Sequence, residues 1–409
     1  MQQKNTCTNI GHYSASKDSS ERGGILSSYE MALLQPEEPA MAKRSTPKCE
    51  RAHPPRTELR ALSLFSGGGG LDLGFSAAGF RISCSSDIDA FSCKTLQLNN
   101  GKKPYYAHAH SIPADIREVT AAVLLKEANL HRGEIDIVLG GPPCQAFSVF
   151  GQRKGLKDPR GNLVWEYLRI IREVQPEAFV FENVAGLKSI HGGELYQEIL
   201  KQLTTCGYTV SPQLYQVADF GIPQFRERIF FIGSRSGRPV PPMEPTHGTF
   251  LGTSPYRTVG EALKHLSEPG SASATPNHIG RTHSRRIVSR YLSLKFGERD
   301  SKTRINKLDP DRPSFAIIVG SDKGGGKGHV HPFEPREVTP RESARMQTFP
   351  DWWEFYGAGR HAIRQVGNAV PPLFAALLAD HVKFHVFGAK RKKRYDELID
   401  ILDLDYLRR

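Results

Sequence analysis

From Arg60 onward two hydrophobic rhythms alternate along the chain, and that alternation restricts the fold more than any other feature. Short apolar, β-rich runs, "RALSLF", "RISCSSD", "EIDIVLGG", "EAFVFENV" and "ERIFFIG", are separated by stretches with helical spacing such as "VWEYLRIIREV" and "ELYQEILKQL". Brief apolar runs suit buried strands, and apolar positions three and four apart suit helices. Strands alternating with helices predict an α/β fold with a doubly wound, mostly parallel sheet. Between about Ser234 and Gly328 the rhythm gives way to Pro, Gly, Ser, Arg and His with weak strand signals such as "SFAIIVG", which predicts a smaller, irregular domain. Helical patterns return in "TPRESARMQTF" and "PPLFAALLADHVKFHVF", and the basic run "AKRKKR" that follows reads as a solvated helix end. Residues 1–57 have no hydrophobic periodicity, so they cannot offset the entropy of ordering and are expected to be a disordered tail.

Composition narrows the partners. The chain has 409 residues, 38% of them hydrophobic, enough for at least one full core, and a net charge of +12 that suits a polyanionic partner. Six scattered cysteines without a C-x-x-C pair indicate neither a zinc site nor a disulfide framework and fit a reducing cytoplasm. His108 and His110, like His329 and His331, have metal-like spacing but lack a third ligand, so no metal is expected. The polar start "MQQKNTCTNI" and the absence of any apolar run near the ~18 residues of a membrane span predict neither signal peptide nor membrane anchor.

Four places carry chemistry. In "SLFSGGGGLDLGF", Gly67, Gly69 and Gly70 let the backbone turn sharply at a strand's carboxyl end and approach a ligand. Asp87 ends the second strand where a carboxylate can accept ribose hydroxyls, and Asp115 stands where a third could end, although Asp115 would equally serve as a helix N-cap. Together they suggest an adenosine-containing cofactor. In "GGPPCQAFSVFG", Pro142 and Pro143 stiffen the turn that carries Cys144, a position for a nucleophile, with a buried structural cysteine as the alternative. Glu182 and Asn183 in "FVFENV" end the next strand, where burial would raise the carboxyl pKa and let it donate a proton. In "DFGIPQFRER", Gln224, Arg226 and Arg228 alternate, so two guanidiniums point one way, toward a phosphate, carbonyl or carboxylate, or toward solvent.

"FSGGGG", "GGPPCQAFS", "FENV", "QFRER", "RESARMQTFPD" and "RQVGNAVPP" occur in this order, and the set resembles the DNA (cytosine-5)-methyltransferases, most like the bacterial restriction-modification type. The match runs from about Arg60 to Val386. The resemblance implies a Rossmann-like S-adenosylmethionine-dependent enzyme without metal. Cys144 would attack carbon 6 of a flipped-out cytosine, Glu182 would hold and protonate N3, Arg228 would contact O2, and Arg226 would organise the site or a phosphate. The expected cofactor residues are Phe65, Ser66, Gly67, Gly69, Gly70 and Leu71 around the methionine portion, and Asp87, Ile88, Asp115 and Ile116 on ribose and adenine. Pro143, Leu163, Asn368 and Ala369 would close the pocket. Gln145, Ser148, Asn183 and Gln224 are expected on the substrate side. Asp87 stands where the family more often has Glu, Ala114 where Gly is usual, and Val164 replaces a common aromatic, departures that bear on ribose geometry and affinity.

The implied organisation is a catalytic and cofactor-binding domain over 58–233, a target-recognition domain over 234–361, a helix returning to the catalytic domain over 362–388 and a basic extension over 389–409. Within it, "FSVFGQRKGLKDPRGN" would be a DNA clamp, and "RTHSRRIVSRY" and "GSDKGGGKG" would be DNA-contacting pieces. The expected partner is double-stranded DNA, with a cognate restriction endonuclease acting on the same sequence. The expected state is a cytoplasmic, nucleoid-associated monomer. Three other readings fit less of the sequence. A tRNA cytosine-5 methyltransferase would need a cysteine-containing recognition segment that is not seen. A silent DNA-binding protein would not need Cys144, Glu182 and Arg228 together, and a nicotinamide oxidoreductase leaves "PPCQ", "ENV" and the paired arginines without a role.

Overall fold

Parallel strands covered on both faces must be apolar throughout, and Leu59–Leu64 (β1), Phe80–Asp87 (β2), Ile137–Gly140 (β4) and Ala178–Val184 (β5) meet that condition, with interiors almost wholly buried. The computed structural model describes residues 58–107, 110–143, 163–271, 275–319 and 326–408, all within the compact unit Pro55–Arg409. His110–Pro113 (β3), Thr209–Gln216 (β6) and Glu227–Ser234 (β7) complete a seven-stranded sheet of order β3-β2-β1-β4-β5-β7-β6. The first five strands of that order pair in parallel, and β7 runs antiparallel to both β5 and β6. The strand order reverses between β1 and β4, which places a ligand crevice beyond their carboxyl ends.

Helices cover both faces. Gly70–Ala77 (α1) and Pro372–Phe387 (α10) share one apolar cluster with the sheet, including Phe75, Ile82, Phe230, Phe374 and Leu378. Ala90–Asn99 (α2) flanks β3. Ala121–Glu127 (α3), Leu163–Val174 (α4) and Glu194–Thr205 (α5) cover the other face through Leu124, Leu168, Ile171, Ile199 and Leu203. Spacing at three and four residues in α4 and α5 marks these helices in the sequence.

Beyond β7 the elements are short: Val259–Leu263 (α6), Arg285–Ser293 (α7) and the two-residue strands Ile318–Val319 (β8) and Gly326–Lys327 (β9), which pair antiparallel. Of "SFAIIVG" only Ile318–Val319 is strand. Small clusters around Val259 and Leu308, and around Tyr291 and Ile305, hold this region. Pro340–Met346 (α8) starts with Thr339 accepting from Glu342 N, with the Glu342 carboxylate accepting from Thr339 N, two donors satisfied reciprocally. Ala344, Phe349, Trp353 and Phe355 then pack in one cluster with Leu73, Leu96, Val366 and Leu373, joining Gly359–Asn368 (α9) to the sheet's helices. Packing is thus continuous across residue 361, where the sequence places a boundary.

Residues 389–409 behave differently from a solvated basic extension. Tyr395–Ile401 (α11) and the turn after it bury Leu398, Leu402, Leu404 and Leu407 completely, and the Tyr406 hydroxyl donates to Arg345 O and Phe349 O. The apolar residues of "ELIDILDLDYL" outweigh the preceding charge run, because buried side chains of this size each contribute about 1.5–3 kcal/mol.

Candidate active site

At the carboxyl end of β1 the chain turns through Phe65 and Gly67, both at positive φ (55° and 52°), before α1 begins. The turn must approach the lead-in to α10, since a Cβ on Gly70 would lie 2.0 Å from Val370 O. Asp87 fastens the turn from β2. Its Oδ2 accepts from Gly67 N at 2.8 Å and its Oδ1 from Asp89 N at 2.8 Å. Burial pushes its pKa up and these two hydrogen bonds oppose the shift. Each carboxylate oxygen keeps accepting capacity for a ligand hydroxyl. Ile88, next to it, is 68% exposed, an apolar surface beside a polar anchor.

Asp115 follows β3 and is gripped by its own neighbour. The Arg117 Nε and Nη2 donate to its carboxylate, Arg117 N donates at 3.0 Å, and the carboxyl is held below its ordinary range. It caps no helix: α3 begins later, with Thr120 as the capping side chain.

Across the cleft, β4 ends in Gly140 and Gly141. A Cβ on Gly140 would meet the Tyr167 ring at 2.6 Å, and one on Gly141 would lie 2.9 Å from Glu182 Oε2. The two glycines thus let the Pro142–Pro143 turn run against the end of β5. Asn183 Nδ2 donates to Pro142 O at 2.9 Å and fixes that turn. Glu182 is opposite Phe230 of β7, and Arg228 Nε stands 2.9 Å from Glu182 Oε1, with side-chain exposures of 18% and 12%. Burial pushes the Glu182 pKa up, and Arg228 and then Arg226 pull against it. Arg226 is almost wholly buried. Its Nη1 donates to Gly367 O at 2.8 Å, and it reaches Asn368 O at the end of α9. Burial, reinforced by Arg228, pulls its pKa down to about 9.

These residues line one cleft of about 570 Å³, within the range of cofactor pockets. Phe65, Ser66, Gly67, Gly70, Leu71, Asp87, Ile88, Asp115, Ile116, Pro143, Leu163, Asn368 and Ala369 line it together with Glu182, Asn183, Arg226 and Arg228. Two expected residues stand apart. Gly69 turns toward the core, where a Cβ would meet Leu96 at 2.6 Å and Trp353 at 2.7 Å. Gln224 is fully buried, and its backbone bridges to Ser314 instead. Cys144, Gln145 and Ser148 lie outside the described residues, as do His108 and most of the two expected DNA loops. Sequence reasoning missed Asp89 and Arg364, whose 2.9 Å ion pair joins the start of α2 to α9 at the cleft rim. Arg364 opens the "RQVGNAVPP" stretch, and its position there was the available signal.

The cleft is electrically uneven, with Asp87, Asp89 and Asp115 at the glycine-turn end and Arg226 and Arg228 at the other. Among the described residues no group of three or more His, Cys, Asp or Glu could hold a metal ion, and no helix is long and apolar enough to cross a membrane.

Residues 59–383 match the family model of the C-5 cytosine-specific DNA methylases. The chain is 35% identical to the Type II methyltransferase M1.HphI of Haemophilus parahaemolyticus over 336 residues, 79% of this chain and 86% of that protein. It is likewise 35% identical to M.NgoFVII of Neisseria gonorrhoeae over 343 residues, again 79% and 86% of the two chains. Among solved structures, a prophage-encoded E. coli protein assigned as a DNA modification methyltransferase superposes with TM-score 0.64 at 25% identity, covering 81% of this chain and all of that one. S. pombe Dnmt2 shares the fold at 20% identity, with TM-score 0.51 over 80% of this chain and 98% of that one. With its family model spanning most of the chain and its polarised cleft at the sheet's switch point, the protein belongs to the C-5 cytosine-specific DNA methylases.

Proposed function

We propose that the chain methylates carbon 5 of a flipped-out cytosine within a specific double-stranded DNA sequence, as the modification enzyme of a restriction-modification system. The observation that carries this reading is the convergence of Glu182, Asn183 and Arg228 on the Pro142–Pro143 turn, in one cleft with Asp87. The turn leads directly to Cys144 in the sequence.

S-adenosylmethionine supplies the methyl group. The residues present fit it: the glycine turn admits a close approach, Asp87 offers acceptors for ribose hydroxyls, and Ile88 offers an apolar face to adenine. The Cys144 thiolate adds to carbon 6, and the ring electrons move toward N3, where Glu182 in its protonated form delivers a proton. Carbon 5 becomes nucleophilic and accepts the methyl group. Loss of the carbon 5 proton and expulsion of Cys144 then restore the aromatic base. Arg228 holds Glu182 in place and faces the cytosine O2, and Arg226, locked to the α9 carbonyls, keeps Arg228 aligned. Residues 234–361 serve target recognition, with the arginines of α7 facing phosphates. Double-stranded DNA is the partner, an endonuclease cutting the same sequence completes the system, and a monomer suffices.

The test is transfer of labelled methyl from S-adenosylmethionine to duplex DNA by the natural chain and by Cys144→Ala, with tRNA in parallel. Transfer to DNA that vanishes in the variant is expected, and mapping the modified cytosines identifies the target. Transfer to tRNA alone would overturn the DNA reading.

A further inference from the structure

Asp72, the third residue of α1, is completely buried beneath the glycine turn without lining the cleft. Its Oδ1 accepts from Ser63 Oγ of β1 at 2.5 Å and its Oδ2 from Ser85 Oγ of β2 at 2.6 Å. The chain extends to the cleft wall, because Ser66 Oγ donates to Ser63 Oγ at 2.9 Å and Ser66 lines the cleft. Every hydroxyl in this chain can point toward the carboxylate, and the first turn of a helix also favours a negative charge. No Lys, Arg or His pairs with Asp72 among the described residues. The nearest charged neighbour, Asp87, is itself an acid that opposes its ionisation.

An uncompensated buried carboxylate is costly, and an amide could keep much of this geometry without the charge. The group therefore needs an explanation outside the packing, and the cleft supplies one. Asp89 and Asp115 have arginine partners, whereas Asp72 and Asp87 accept only from neutral donors, so this end of the cleft carries uncompensated negative charge. The other groups against Asp72, the thiols of Cys84 and Cys93 and the Tyr106 phenol, are pushed up by burial and stay neutral. Burial pushes the Asp72 pKa up to about 6, which leaves it ionised at neutral pH.

We propose that Asp72 is a positioning residue whose buried charge makes the cleft prefer the cationic sulfonium donor over its neutral thioether product, so that the spent cofactor leaves readily. The inference rests on the reading of the cleft as the S-adenosylmethionine site. Discrimination comes from one full charge that is present before methyl transfer and gone after it, with little difference in shape. A carboxylate in a low-dielectric wall is sensitive to that difference where a solvated one is not.

Calorimetric titration of S-adenosylmethionine and S-adenosylhomocysteine into the full chain, Asp72→Asn, Ser85→Ala and Asp87→Ala tests it. Asp72→Asn is expected to weaken the sulfonium form by about tenfold while changing the thioether form by less than about twofold. Ser85→Ala removes one donor to the carboxylate, pushes Asp72 toward its neutral form and shifts the same ratio in the same direction, which keeps the test available if Asp72→Asn does not fold. Equal loss for both ligands, or no loss for either, would overturn the proposal, since a merely structural role moves both affinities together. If Asp87→Ala weakens binding while the ratio stays fixed in the Asp72 and Ser85 variants, the cleft reading stands and this inference alone fails. If Asp87→Ala leaves both affinities intact, the cleft reading fails and the inference fails with it.

Discussion

Glu182 illustrates how two opposed influences hold a carboxyl near the point of use. Burial favours its neutral form, Arg228 and Arg226 favour its anion, and burial prevails. Removing Arg228 tips the balance further: in Arg228→Ala the Glu182 pKa rises again, and methyl transfer is expected to fall by about a hundredfold as the acid loses its alignment. The pH-rate profile checks this, because its carboxylate-dependent limb moves to higher pH in the variant. Asp72 allows a cleaner linkage test. Its folded pKa of about 6 exceeds the ordinary 3.8, so the native state binds the proton more tightly than the unfolded chain does. Stability from this group is therefore present below about pH 4 and lost as pH rises to about 6, roughly 3 kcal/mol in all. Chemical denaturation of the natural chain and Asp72→Asn should show the variant gaining relative stability across that window, and parallel curves would contradict it.

Among the elements, the contact between α1 and α10 is the closest helix packing at the cleft. A Cβ on Gly74 would lie 2.4 Å from that of Ala375 and 2.5 Å from Pro372 O. Gly74→Ala must separate the helices, and a loss of about 1–3 kcal/mol is expected in thermal melts, together with weaker cofactor binding because α10's lead-in also touches Gly70. The central elements were legible in the sequence. Continuous apolar runs expose β1, β2, β4, β5 and β7 because parallel strands covered on both faces leave no position for polar residues. By contrast β3, four residues reading "HSIP", and β6, carrying Pro212 and Gln213 at a sheet edge, have no such signature, because edge strands are half-covered and owe their form to their neighbours. Site residues followed the same division. Motif positions pointed to the cleft, whereas the Arg364–Asp89 pair and the burial of Gln224 come from contacts between distant segments that no local pattern encodes.

At the scale of the whole molecule, the last fifteen residues form part of the core: Leu398, Leu402, Leu404 and Leu407 share a cluster with Leu73, Trp353 and Val366. Ending the chain at Arg394 would remove several side chains contributing about 1.5–3 kcal/mol each, comparable with the whole stability of a typical domain. Loss of the cooperative thermal transition is expected, whereas a chain lacking residues 1–57 is expected to retain methyl transfer. The cleft joins β1's glycine turn to Asn368, Ala369 and Val370 across some three hundred residues of sequence. During synthesis the glycine turn emerges early and waits, at about 5–20 residues per second, for the segment that completes its wall. Folding from contacts so remote in sequence is slow. A nascent chain on the ribosome thus has no finished cofactor pocket, and a cell that makes this enzyme gains methylation only after a delay set by translation and folding, not by the chemistry of the base.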